Sequence, residues 1–360
     1  MKKILNLSLI FVLIGCANIV APTGGEKDIN PSRVLRVDMI ENNKEYKVIV
    51  FEFDEYIQLN KWEQHFYISP TINSSVQKKI KKQKLFLTIE DTLKENTTYH
   101  VALNNCIKDN NEGNILDSLT YNLSTGKDKD TLTLTGNLLD AYTLAPLENA
   151  WVMLFQENID DSVIFKGTPN YISKTDNNGI FYFPNLKNKK YKIVALTDFD
   201  FIYNKGEKIA FSNRIIDSKI DSFISLFGFD QIIENKDIYK DSILMQSDVT
   251  QSSSLDSILQ DDFLFGKLEI ISVQNRPLIF QLLQNEKVII ETPFFEKPYL
   301  IDGIEAGKYQ LKCILDNNED SIWNTGNWDL KIQPEKVVNY PSEIIIRSNW
   351  DLQLDWIILK

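Results

Sequence analysis

The side chains of this 360-residue chain that could do chemistry are few, and most fail the test of spacing. Acyl transfer needs a nucleophile with a base beside it, and no Gly-x-Ser-x-Gly elbow occurs. The only histidines are His65 and His100. His100 stands between Tyr99 and Val101 in an alternating stretch, which points it to the solvent face, and both histidines read as surface residues rather than bases. Zinc lacks its ligand patterns, since His-Glu-x-x-His and Cys-x-x-Cys are both absent. No catalytic residue is assigned, and the chain reads as non-enzymatic.

Hard oxygen ligands are better represented. Asp198-Phe-Asp200, Asp316-Asn-Asn318-Glu-Asp320 and the stretch from Asp109 to Asn114 concentrate them in turns. Asp316, Asn318 and Asp320 match the first three side-chain positions of an EF-hand-type loop, but Ser321 stands where that loop turns on glycine and Asn327 where it takes a bidentate glutamate. Two readings stand: a structural calcium held by Asp198, Asp200, Asp316, Asn318 and Asp320, with no other cofactor, or plain polar turns built from the residues that turns prefer.

Two further clusters divide the same way. Lys78-Lys-Ile-Lys-Lys-Gln-Lys84 is a basic run in a chain of net charge −11. It could meet the phosphates of an envelope glycolipid or an acidic polymer, or it could guard an exposed edge strand from pairing with other chains. Trp323, Trp328, Trp350 and Trp356 could form a platform for sugar rings, with Trp323 and Trp328 the candidate ligand surface, or pack as core and rim. The acidic balance excludes nucleic acid as a partner, because phosphates would be repelled.

Cys16 is the clearest chemical residue. Lys2 and Lys3 precede an apolar run from Ile4 to Ile14 that is far shorter than the ~20 residues needed to cross a bilayer, and the run closes on Leu13-Ile-Gly-Cys16. That ending resembles a lipobox, in which small Gly15 admits a signal peptidase and the Cys16 thiol becomes a thioether to diacylglycerol. The expectation is a signal peptide over residues 1–15, lipid on Cys16 and membrane attachment through it. A Pro- and Gly-containing tether follows over 16–31. Cys106 and Cys313 lie in alternating segments and read as small apolar core residues rather than a disulfide pair.

The elements that must carry these residues are strands. Ile49-Val-Phe-Glu-Phe53, Leu85-Phe-Leu-Thr-Ile89 and Tyr99-His-Val-Ala-Leu103 alternate with period two, which predicts half-buried strands, and Asn/Asp/Gly clusters punctuate the chain at short intervals. The expected fold class is all-β, a tandem of β-sandwiches. Expected boundaries are 32–127, 131–217, a Ser- and Asp-rich linker at 218–262, and 263–360.

Residues 32–127 carry Phe51-Glu-Phe-Asp-Glu-Tyr-Ile57, Asn96-Thr-Thr-Tyr99 and Leu123-Ser-Thr125 in order, and resemble the SbsA-type bacterial Ig-like domain. Leu134-Thr-Gly-Asn-Leu138, Pro146 to Leu154 and Lys174-Thr-Asp-Asn-Asn-Gly179 resemble the carboxypeptidase-regulatory, transthyretin-like sandwich, with Gly179 giving a hairpin turn its positive φ. Lys190-Tyr-Lys-Ile-Val-Ala195 aligns with Lys308-Tyr-Gln-Leu-Lys-Cys313, and Tyr203-Asn-Lys-Gly206 with Trp323-Asn-Thr-Gly326, which makes the last segment a second sandwich of that kind. The whole order is similar to Ig-like lipoproteins of Bacteroidetes-type bacteria. The resemblance implies an outer-membrane address, with the periplasmic and the cell-surface side both open; an envelope protein or glycan is the expected partner.

Overall fold

The computed structural model describes residues 26–42, 46–161, 164, 168–197, 201–204, 206–231, 265–273 and 275–358. The expected signal peptide, Cys16, and Asp198 and Asp200 lie outside them, as do residues 232–262 of the expected linker.

The first segment forms β1 (Val34–Asn42), β2 (Tyr46–Phe53), β3 (Ile57–Leu59), the single-turn helix α1 (Trp62–His65), β4 (Tyr67–Ser69), β5 (Gln77–Lys81), β6 (Lys84–Ile89), β7 (Thr98–Ala102), β8 (Ile107–Asp109), β9 (Ile115–Leu116) and β10 (Thr120–Ser124). Its sheets are ordered β1-β2-β6-β5, β3-β8-β9 and β10-β7-β4. The first two belong to one compact unit, drawn from the described residues of 26–65, 76–90 and 103–119. The sheet β10-β7-β4 belongs to a second unit together with the rest of the chain.

The middle segment forms β11 (Leu132–Asp140), β12 (Trp151–Gln156), β13 (Tyr171–Lys174), β14 (Ile180–Leu186), β15 (Lys190–Leu196), β16 (Lys208–Phe211), β17 (Ile216–Asp217) and β18 (Phe223–Asp230). The sheet runs β13-β12-β15-β16-β18-β11-β14, with β17 beside β15. This corrects the linker expectation, because residues 223–230 are a sheet strand paired with β11 in parallel and with β16 antiparallel. Composition misled here: Ser and Asp dominate around it, but Phe223-Ile-Ser-Leu-Phe227 buries Ile224 and Leu226 by simple alternation. The Asp176–Gly179 turn has the expected positive φ at Gly179. It does not close a hairpin, since β13 pairs with β12 and β14 with β11. The Ser173 hydroxyl bridges these two edges, donating to the Tyr182 carbonyl (2.8 Å) and accepting from its N–H (3.2 Å).

The last segment forms β19 (Phe265–Ile271), β20 (Leu278–Gln284), β21 (Lys287–Phe294), β22 (Tyr299–Glu305), β23 (Gly307–Leu315), β24 (Val337–Asn339), β25 (Ile344–Ile346) and β26 (Asp351–Asp355). Its pairings reproduce those that β11 and β15 make in the middle segment. β19 takes β22 antiparallel and β26 parallel, as β11 takes β14 and β18. β23 takes β20, β24 and β25, as β15 takes β12, β16 and β17. Local detail repeats too. The Tyr191 and Tyr309 hydroxyls each donate to the carbonyl four residues earlier. The Asn204 and Asn324 amides each donate to the carbonyl two residues earlier.

Burial departs from the expected half-buried pattern in one respect that matters. In β12, Val152 and Leu154 enter the sandwich core, while Trp151, Met153 and Phe155 on the opposite face are also buried, in a second cluster. β15 divides likewise, with Tyr191, Ile193 and Ala195 inward and Val194 and Leu196 outward. Such unbroken apolar runs mark strands covered on both faces.

Close approach fixes one glycine in this core. A Cβ on Gly136 would lie 2.2 Å from the Phe181 ring and 2.3 Å from the Ile224 carbonyl oxygen, and the oxygen, being backbone, cannot step aside. Gly136→Ala is expected to lower unfolding stability by about 3 kcal/mol in urea titration, whereas an unchanged midpoint would mean that β11 and β18 can part without cost.

Candidate functional site

The outer face of β12 and β15 is covered from two sides, and these covers are the best-built feature of the second unit. From the first segment, Tyr67 meets Trp151 edge-on at 5.6 Å, the Ser69 hydroxyl accepts from the Ile172 N–H (3.1 Å), and the Thr71 N–H donates to the Asn170 carbonyl (3.1 Å). Asn122 takes a hydrogen bond from the Asn185 amide (3.0 Å), and Lys187 donates to the Thr97 hydroxyl (2.8 Å).

From the last segment comes the long connection between β23 and β24, residues 316–336, roughly twice the length of its counterpart at 197–207. Trp328 packs edge-on against Phe211 (5.0 Å) in the cluster that holds Phe229, and only 8% of it is exposed. The Lys331 ammonium lies over its ring. Around this wedge, Thr325 donates to the Asp230 carbonyl (2.8 Å), Gln333 to the Phe211 carbonyl (3.0 Å) and Asn213 to the Lys331 carbonyl (3.2 Å). Gln231 donates to the Asp329 carboxylate (3.1 Å). A Cβ on Gly326 would lie 2.5 Å from the Phe229 ring, so the loop can come this close only with glycine there.

The opposite grip runs from the middle segment into the last sheet. Asp140 shapes the turn after β11 by accepting from the Tyr142 and Thr143 N–H groups (3.0 and 2.8 Å), and Lys208 bridges it to Asp230 (2.9 and 2.7 Å). The turn delivers Tyr142 onto the face of β20 and β23, where Ile279, Ile314, Val337 and Trp323 surround it. Gln281 donates to the Tyr142 hydroxyl (2.8 Å). Buried Lys312 donates to the Tyr142 carbonyl (3.0 Å), with its ammonium 4.3 Å from the ring centre. Burial holds the Lys312 pKa below its ordinary value, against the attraction of Asp140.

The expected calcium ligands serve this loop. Asp316 is buried and accepts from the Asp320 and Ser321 N–H groups (3.2 and 2.9 Å), and Asp320 accepts from the Asn318 and Asn324 amides (2.9 and 2.8 Å). Asp316, Asn318 and Asp320 are thus brought together as a hydrogen-bonded turn. Sequence reasoning missed Glu335, also buried, which accepts from the Asn317 and Asn324 N–H groups (2.6 and 3.0 Å) and pins the far end of the turn. Burial pushes the Glu335 carboxyl up from its ordinary value. No local pattern marked Glu335, because its partners lie 11 and 18 residues away.

Trp323 is half-buried, its indole N–H donating to the Glu335 carbonyl (3.0 Å). Trp356 is buried, and Trp350 is exposed. Trp323 and Trp328 therefore sit in packing contacts rather than on an open platform.

His100 corrects the expectation of a solvent-facing ring. It is buried, its Nδ1 bonded to the Asn122 side-chain oxygen (3.0 Å), and desolvation lowers its pKa despite that bond. Every residue of β7 is buried, so the strand is covered on both faces, a condition alternation alone cannot reveal. Cys106 and Cys313 are buried, as expected, although Cys106 precedes β8 rather than lying on a strand. Burial pushes the Cys313 thiol up and keeps it protonated.

In the other unit, Asp109 is buried at a tight turn. Its carboxylate accepts from four backbone N–H groups, those of Asn111, Glu112, Gly113 and Asn114, at 2.7–3.0 Å. Ligand atoms of Glu55, Asp109 and Glu112 lie within 4.8 Å of one another. The lysine run forms β5 and its turn into β6, and β5 is an edge strand, as the guarding reading requires. Lys78 pairs with Glu63 and lies over Trp62, and Lys84 pairs with Glu52 (3.0 Å).

Comparison with known proteins places one part of the chain. Residues 28–125 match the bacterial Ig-like domain family. The Ig-like segment therefore supplies β1 to β10. Among solved structures, the chain is similar to GBS52, the minor pilin of Streptococcus agalactiae, at 14% identity over 63% of this chain and 95% of that one, with a TM-score of 0.21. It is similar to the Bacillus anthracis TIE protein at 12% identity over 93% and 59%, with a TM-score of 0.19. It is also similar to native alpha-2-macroglobulin of Escherichia coli, domains MG0-NIE-MG1, at 11% identity over 86% and 96%, with a TM-score of 0.22. No curated protein matches the chain.

Two outcomes follow from these geometries. Trp328→Ala is expected to cost about 3–5 kcal/mol and to split one cooperative unfolding transition of the middle and last segments into two by calorimetry; a single transition at the original temperature would show that the loop only rests on its neighbour. For Asp109, burial favours the neutral acid, but the four donors outweigh it and hold the pKa below the ordinary value. The stability so contributed is present above the unfolded value near ~4 and is lost as pH falls through the folded value. Asp109→Asn is therefore expected to be less stable than the native chain by about 1–3 kcal/mol at neutral pH, with the gap closing in acid. A gap that stays constant with pH would assign the loss to geometry alone.

Proposed function

We propose that the chain is a non-enzymatic envelope lipoprotein, attached to the outer membrane through lipid on Cys16, whose tandem sandwiches act as a binding, spacing or scaffolding module. The mutual contact between the middle and last segments is the observation that supports this reading. Neighbouring β-sandwiches joined only by a flexible link would transmit neither position nor force. Here Trp328 and Lys312 are buried and Tyr142 is half-buried across the junction, and removing any of them would leave a cavity or unpaired polar groups. Extended surfaces on a stiff support suit spacing or display. The buried His100, paired with an amide, offers no acid–base partner for hydrolysis.

A second reading, capture of polysaccharide at the envelope, finds no support at Trp323 and Trp328, which are packed away. It finds support in the basic face of the Ig-like segment described below.

The anchor is tested by radiolabelled palmitate in cells making the full chain. The native protein is expected to take the label and to partition with outer membranes, and Cys16→Ser to lose both. Label retained on Cys16→Ser would sink the anchoring proposal.

A further inference from the structure

The lysine run does more than border an edge. In the sheet β1-β2-β6-β5, directly paired residues share a face, which sets Val50, Phe86 and Lys79 in one row and Val48, Thr88 and Gln77 in the next. The rows form the floor and wall of an open groove of about 650 Å³, lined by Tyr46, Val48, Gln77, Lys79, Lys81 and Phe86 with neighbouring residues. Lys79 and Lys81 are exposed and, among the described residues, make no ion pair, unlike Lys78 and Lys84. Glu90, the one acid lining the groove among the described residues, accepts from the Gln77 amide (3.0 Å).

We propose that this groove binds an anionic polysaccharide, its carboxylate or sulfate groups on Lys79 and Lys81 and its ring faces on Phe86 and Val48. Charge is the first argument: two ammonium groups without an ion-pair partner among the described residues stand on one face of β5, in a chain of net charge −11. Shape is the second. Val48 and Phe86 are half-buried on the sheet face beside the more exposed lysines, so the floor can receive a chain of rings without standing proud of the charges. The Gln77 amide and Thr88 hydroxyl beside it suit sugar hydroxyls. The inference deepens the polysaccharide reading and does not depend on lipid at Cys16.

The test is titration of the full chain in detergent with heparin as the probe and neutral dextran as the control. Binding to heparin that weakens with salt is expected, and none to dextran. Lys79→Glu with Lys81→Glu should weaken it about tenfold or more, and Phe86→Ala a few-fold, roughly the scale of losing one apolar contact. Lys127→Glu with Lys129→Glu, exposed lysines outside the groove, should leave it unchanged. Melting curves confirm that each variant is folded. Absence of heparin binding would overturn the proposal, as would binding indifferent to Phe86→Ala, which would be charge attraction alone. Binding to phosphatidylglycerol vesicles without heparin binding would replace the glycan with a lipid surface. Loss of palmitate labelling at Cys16 would leave this result untouched.

Discussion

Everything in the second unit depends on the two-faced burial of β12. A run of five consecutive residues with neither face exposed, Trp151 to Phe155, cannot be satisfied by one sandwich core, because successive side chains point to opposite sides of the sheet. The inward pair joins the core, while the outward indole, thioether and phenyl leave a wide apolar patch that water would penalise. The structure covers it with Tyr67 from one side and Trp328 from the other. Association between segments is thus a consequence of strand composition, and the neighbouring segments need only present aromatic side chains of matching shape.

Polar groups decide how those aromatic side chains are aimed. Asp140 turns the chain so that Tyr142 projects from the end of β11, and Lys208 compensates that carboxylate together with Asp230. At the far side, Asp316, Asp320 and Glu335 tie the long connection into a turn and leave Trp328 and Lys331 free to reach the middle segment. Burying Lys312 and Glu335 carries a desolvation cost, visible in pKa values displaced toward the neutral forms. For Lys312 the cost is offset by a hydrogen bond to the Tyr142 carbonyl that exists only in the docked geometry, and for Glu335 by backbone donors of its own loop. Lys312 thus specifies the junction directly, while Glu335 shapes the loop that reaches it.

The internal repeat shows how such a junction can arise. The middle and last segments share all the pairings around β11 and β15 on one side and β19 and β23 on the other. They differ at two points. β16 pairs with β18 in the middle sheet, and the β23–β24 connection is extended beyond Gly326. The extension carries Trp328, Lys331 and Gln333, the residues that cross to the neighbour. A turn that merely closes one sandwich becomes, when lengthened, the wedge that docks the other.

Much of this was legible in the residues. Period-two alternation identified the strands and the all-β class, the Asn96-Thr-Thr-Tyr99 and Ser124-Thr125 signatures pointed to the segment that matches the Ig-like family, and the Tyr191/Tyr309 alignment exposed the repeat, because these signals are local and act within a few residues. The basic run was legible as charge for the same reason. What covers a strand's second face is not local. His100 was misplaced, β18 was hidden by the composition around it, Glu335 had no motif, and Trp328 read equally well as platform or packing, since each is decided by a partner tens to hundreds of residues away. The sequence by itself determined which segments become strands and which turns reverse them; only tertiary structure decided which apolar faces would meet, because burial is a property of pairs of surfaces and no single stretch of chain contains both.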